Sequence, residues 1–151
     1  MNGGWRPLAA TPGCRAQAAD VLRSYRERVQ RRIGTLYWHE GQLRAELGET
    51  DAAIALLERG RHPTDEDGWN DYVDATIAFL RNDRRRLLAV RDRLAERPKP
   101  ADWATGVDTK GNPVAAPPWP MNLNVVDRLI ACFGRSYREA YRCEVPAPSN
   151  R

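Results

Sequence analysis

Apolar positions recur with helical spacing over most of the chain. Thr11-Pro12 reads as an N-cap with proline at the first helical position, and it predicts a helix over residues 11–33. The apolar face of that helix is expected to be Val21, Tyr25, Val29 and Ile33, flanked by Ala18 and Leu22, with arginines at 23, 26, 28, 31 and 32 on the other faces. Gly34 breaks the run. A second helix is expected at 35–47, with Leu36, Tyr37, Leu43 and Leu47 in its stripe and Gly48 where a helix end favours a left-handed residue. Thr50 or Asp51 caps a third, which carries Ala53, Ile54 and Leu57 and ends near Gly60. Past the acidic loop Asp65-Glu66-Asp67-Gly68, a fourth carries Trp69, Tyr72, Val73, Thr76, Ile77 and Leu80. Asn82-Asp83 turns the chain into a fifth at 84–97, with Leu87, Leu88, Val90 and Leu94, and Pro98 stops it. Asn122 or Asn124 caps a sixth with Val125, Val126, Leu129, Ile130 and Phe133. Gly134 ends it, and Ser136 caps a short seventh with Tyr137, Ala140 and Tyr141, before a frayed tail.

Residues 98–121 break the pattern. Prolines stand at 98, 100, 113, 117, 118 and 120, and residues 107–114 are expected to fold back as a small hairpin around Lys110-Gly111-Asn112. Trp103 and Trp119 argue against free disorder, since two exposed indoles are costly in water. The segment is therefore expected to pack across the helical surface and cover part of a groove. The expected architecture is all-α, one domain over residues 1–151: an N-terminal helix at 11–33, two helix–turn–helix units at 35–97, the proline-rich connection, and a helical pair at 122–142.

Self-comparison adds a period. Gly41, Gly48, Ala53, Leu57 and Gly60 have counterparts 34 residues later in Ala75, Asn82, Leu87, Arg91 and Leu94. Small residues mid-helix allow close backbone approach, and 34 residues is the length of one tetratricopeptide unit. The run from Gly41 to Leu57, with Tyr37 four residues ahead, resembles one repeat of the tetratricopeptide family. The copy near 70–98 is degenerate, with Arg91 and Asn82 where the family carries a large apolar residue and glycine. The resemblance implies antiparallel hairpins stacked as a short solenoid. It also implies a concave face built from the first helix of each pair, serving as a protein or peptide docking surface. On that face His39, Gln42, Glu46, Asn70, Asp71 and Asp74 are the candidate partner-binding residues.

Composition shapes the choice of partner. Only Lys99 and Lys110 of the 24 basic residues are lysine, a bias that also fits a GC-rich genome. Residues 1–32 hold seven arginines against Asp20 and Glu27, net +5; residues 33–80 hold three against ten acids, net −7; residues 81–97 hold seven against three, net +4. So acidic a middle is unusual for a nucleic-acid binder. Neighbouring segments of opposite sign either attract each other or leave the acids to a basic partner. The reading is a non-catalytic protein-interaction module whose partner is a protein or peptide of basic character. A small bacterial effector-partner or immunity-type inhibitor is the first alternative, and a basic nucleic-acid-associated protein the second. The arginine-rich first helix lacks aromatics interleaved for base stacking, since Tyr25 falls on its apolar stripe.

No enzyme, cofactor or metal is expected. His39-Glu40 has no second histidine four residues on, His62 stands alone, and Asp65-x-Asp67-Gly68 lacks the remaining ligands of a calcium loop. No serine lies in a Gly-x-Ser-x-Gly context. Of Cys14, Cys132 and Cys143 at most one internal bridge forms: Cys132–Cys143 across a short hairpin, Cys14 to the C-terminal helix, or none, with reduced thiols in the cytosol. Without a membrane-spanning run or leader the expected compartment is the cytoplasm, or the periplasm if a leader was removed.

Overall fold

The computed structural model of the chain describes residues 4–29, 33–65, 67–101, 103, 106–107 and 111–145. Among these the architecture is all-α: α1 Trp5–Ala10, α2 Arg15–Arg28, α3 Gly34–Glu46, α4 Thr50–Arg59, α5 Trp69–Leu80, α6 Arg84–Ala95, α7 Leu123–Ala131 and α8 Tyr137–Tyr141. Consecutive helices pack as hairpins, and each hairpin packs on the next. Two apolar clusters result. The larger runs from α3 to α8 and includes Trp38, Leu57, Tyr72, Val73, Leu87, Val126 and Tyr137; the smaller joins Ala18, Ala19, Leu22 and Leu43 to Trp5 and Leu8. No described helix is long and apolar enough to cross a membrane.

The turns follow from local chemistry. Gly48 (φ +80°), Asn82 (φ +56°) and Gly134 (φ +89°) all take the left-handed conformation that lets a helix end and the chain reverse. Asp83 accepts the Arg86 backbone N–H at 2.9 Å, and its carboxylate offsets the unfavourable arginines at the start of α6. Ser136 and Glu139 form a reciprocal capping box on α8. The expected caps of α4 are not found, because Glu49 occupies the cap position without a side-chain bond. Asn122 stands ahead of α7 as expected, yet it acts through a left-handed backbone rather than its side chain.

The hairpins explain the small residues. A Cβ on Gly41 would lie 3.0 Å from the Leu57 side chain, so α3 and α4 approach closely only with glycine there. Gly34, expected as a break, is instead the first residue of α3, where its lack of a side chain admits the Gly60 carbonyl. In the second hairpin the matching pair is Ala75 and Arg91, and the Arg91 guanidinium turns to Asp127 of α7 at 2.9 Å. Arginine at that position is thus a link to the third hairpin.

The N-terminal end departs most from the sequence reading. Thr11 closes α1 rather than opening α2: its N–H and hydroxyl donate to the carbonyls of Leu8 and Pro7. α2 ends at Arg28, with Val29 extended, and the expected residues 30–32 lie outside the described ones. It also buries the other stripe. Ala18, Ala19 and Leu22 face α3, while Val21 and Tyr25 face outward at 40% and 55% exposure. The reason is electrostatic as well as steric. With α2 in this rotation Arg15 meets Glu46 at 2.6 Å, Asp20 meets Arg44 at 2.7 Å and Arg26 meets Glu40 at 2.9 Å, an alternating ladder between the two helices.

In the proline-rich segment β1 (Gly106–Val107) pairs antiparallel with β2 (Pro113–Val114), as the hairpin reading expects, while Lys110 lies outside the described residues. Trp119 donates to the Arg97 carbonyl at 3.0 Å and packs against Trp103, which anchors the segment at the end of α6.

Candidate functional site

The six residues expected on a concave face fall into two groups. His39, Gln42 and Glu46 lie on one face of α3, and each meets another part of the chain. The Trp5 ring of α1 sits 4.8 Å from His39, Gln42 lies beside Tyr137 of α8, and Glu46 pairs with Arg15. Burial lowers the His39 pKa and nearby Arg6 adds to this, against a hydrogen bond with Gln42 that works the other way. Helix α8 lies over α3 and α5, with Tyr137 against Phe79 and Tyr141 beside Tyr72. The face made by the first helices of the two hairpins is thus covered by α8, with α1 at its edge.

Asn70, Asp71 and Asp74 serve a second network. Asn70 exchanges hydrogen bonds with the His62 backbone through both ends of its amide. Asp71, its side chain only 4% exposed, takes Arg93 at 2.6 Å and Arg97 at 2.5 Å. Asp74 takes Arg61 at 2.7 Å, Arg93 at 2.8 Å and Arg86 at 3.4 Å. Arg97 also reaches Asp65, and Asp65 and Asp67 accept the first backbone N–H groups of α5. The acidic loop is a helix cap and ion-pair partner. The opposite charges of neighbouring segments attract each other within the molecule.

Burial alone would raise the Asp74 pKa, but the hydrogen bonds of Arg61 and Arg93 and the charges of Arg61 and Arg86 outweigh it and hold it below the usual carboxylate value. A group depressed in the folded state stabilises the fold above its unfolded pKa, near 4, and that contribution is lost as pH falls through the folded pKa. Asp74→Asn should therefore lower Tm at neutral pH, with the gap from the parent closing below about pH 4. Thermal melts across pH 2–7 check this, and parallel curves for the two proteins would contradict it.

Among the described residues the side of α2 that the sequence pattern reads as core faces outward, and Leu47, expected in the stripe of the second helix, is exposed as well. Gln17, Asp20, Val21, Ser24, Tyr25 and Arg28 line a shallow groove of about 450 Å³. Asp20 is engaged by Arg44 and, at 3.5 Å, by Arg23, whereas Arg28 has no ion pair among the described residues. The groove therefore offers two adjacent apolar side chains beside a positive rim. A legible signal existed: α2 carries two apolar stripes, and only the alanine-rich one places Arg15, Asp20 and Arg26 opposite Glu46, Arg44 and Glu40.

Among the described residues no three or more His, Cys, Asp or Glu side chains are grouped to hold a metal. Cys132 and Cys143 are joined in a disulfide, and Cys14 is free. Comparison with protein-family models, curated proteins and solved structures finds no match to the chain.

Proposed function

We propose that this chain is a tetratricopeptide-like stack of helical hairpins that docks a partner protein without catalysis, and that the docking surface is the outer face of α2. The observation that carries the reading is the outward Val21–Tyr25 pair lining a groove at the end of the stack. A stripe at i and i+4 beside the Arg28 guanidinium suits an amphipathic helix with an apolar anchor and a flanking carboxylate. The equivalent hairpins 34 residues apart support the family likeness.

Charge pairing within the chain shifts the expected partner. Asp65, Asp71 and Asp74 are neutralised by the chain's own arginines, so they offer a basic target less than their number suggests. This weakens the physical basis of the immunity-type reading. The same pairing takes Arg15, Arg26, Arg93 and Arg97 from a nucleic-acid surface. On the α2 rim it is an acidic partner that gains.

A photo-crosslinking residue placed at position 25 or 21, with position 89 on α6 as an exposed control, tests the proposal in cells. The expected result is one discrete heterologous adduct from 25 and 21 and none from 89. Tyr25→Glu should abolish capture by a probe at 21 while shifting Tm by no more than about 1 °C, because the ring is already exposed. Equal labelling at all three positions, or none, overturns the proposal, and an adduct of twice the chain mass assigns the face to a second copy instead.

A further inference from the structure

We propose that the Cys132–Cys143 disulfide is a redox clasp that holds α8 over α3 and α5, and that reduction by a dithiol releases α8 and opens the face beneath. The inference is independent of what docks on α2.

The bridge is local. Cys132 ends α7 and Cys143 lies two residues past α8, eleven positions on, with Cα atoms 6.2 Å apart. The closed loop contains the whole of α8 and no part of α1–α6. It therefore ties the two ends of one short hairpin together and leaves the rest of the stack unlinked. A helix of five residues is far below the length that sustains itself in water, so its position depends on side-chain anchorage and on chain closure. The anchorage is modest. It rests on few side chains: Tyr137 and Ala140 are buried and Tyr141 lies beside Tyr72, while Arg138 and Glu139 are exposed. Closure by the disulfide is what tips the balance.

The bond is also reachable. It borders a surface cleft of about 970 Å³ lined by Arg135, Arg138, Arg142, Glu139 and Glu144, with Cys143 the less buried of the two residues. A thiolate of the dithiol attacks Cys143 Sγ, and the S–S pair of electrons leaves on Cys132 Sγ, which then takes a proton. The second thiol of the reductant attacks the mixed disulfide and frees Cys143. Two electrons pass, the dithiol becomes a cyclic disulfide, and both cysteines become thiols. What opens is the face bearing Phe79, Tyr72 and Gln42.

Hydrogen exchange on the full chain, oxidised and after dithiothreitol, tests the clasp. The expected result is at least tenfold faster exchange for amides of residues 135–143 on reduction. Amides of α3–α6 should stay within twofold, and binding of an apolar-surface dye should rise severalfold. Cys132→Ser/Cys143→Ser should match the reduced protein and ignore dithiothreitol. Unchanged protection of α8 overturns the proposal, because the seat then needs no clasp. Loss of protection throughout α3–α6 also overturns it, because the bridge is then a staple of the whole fold. Three free thiols in the denatured, unreduced protein overturn it as well.

Discussion

Replacing Arg93 and Arg97 together with alanine should destabilise the fold by about 3–5 kcal/mol, the cost of leaving a buried carboxylate without its cations. Asp71 has 4% of its side chain in contact with solvent and both arginines within 2.6 Å. The opposite deletion is cheaper. In Asp71→Ala the arginine side chains, 48% and 24% exposed, turn into water, and the loss should stay near 1–3 kcal/mol. Urea titrations of the two variants and the parent at pH 7 give the comparison. Equal losses for the two deletions would show that desolvation of Asp71 is not what the arginines offset. Charge reversal at Asp71 or Asp74 accordingly reports on stability and is a poor probe of docking.

The second large effect belongs to the α3–α4 seam. Leu57→Ala should cost about 2–5 kcal/mol, since the side chain is fully buried and its removal leaves a cavity. Gly41→Ala should cost about 1–3 kcal/mol by overpacking even though alanine favours the helix, because its Cβ meets Leu57 at 3.0 Å. In the Leu57→Ala background the Leu57 contact is gone and the Ala53 carbonyl, at 3.3 Å, still crowds the new Cβ, so the same change should cost less. A double-mutant cycle then gives a coupling of about 1–3 kcal/mol. Additive losses would mean that the two helices do not meet at this pair. The natural contrast is the second hairpin, where Ala75 is tolerated opposite Arg91, whose side chain leaves the seam for Asp127.

Features set by a few neighbouring residues are legible in the sequence. Gly48, Asn82 and Gly134 turn the chain, Asp83 and Ser136 cap the helices that start beside them, and the 34-residue spacing marks two equivalent hairpins. Features set at long range are not. Which of two apolar stripes α2 buries is decided by the packing surface and the charges of α3 together, so Val21 and Tyr25 pass from expected core to exposed groove. α1 escapes the pattern because Thr11-Pro12 imitates a helix start, although Trp5, Leu8 and Ala9 already carry helical spacing. Glycine spacing shows that α7 and α8 form a hairpin, but it does not show that α8 returns over α3. That return covers Gln42, while Trp5 of α1 and Arg15 of α2 take His39 and Glu46, so the face expected to stand open is occupied. The disulfide is one of three options in the sequence for the same reason, since it depends on where the end of α8 comes to rest.

The central claim is that the hairpins stack side by side and that α8 lies across their first helices. A nuclear Overhauser spectrum of the oxidised full chain tests it most directly. The Trp38 and Tyr72 rings, with centroids 4.8 Å apart, and the Tyr137 and Phe79 rings, at 6.2 Å, should give cross-peaks. Cross-peaks from Tyr137 to α7 alone, with none between Trp38 and Tyr72, would contradict both the stacking and the covered face.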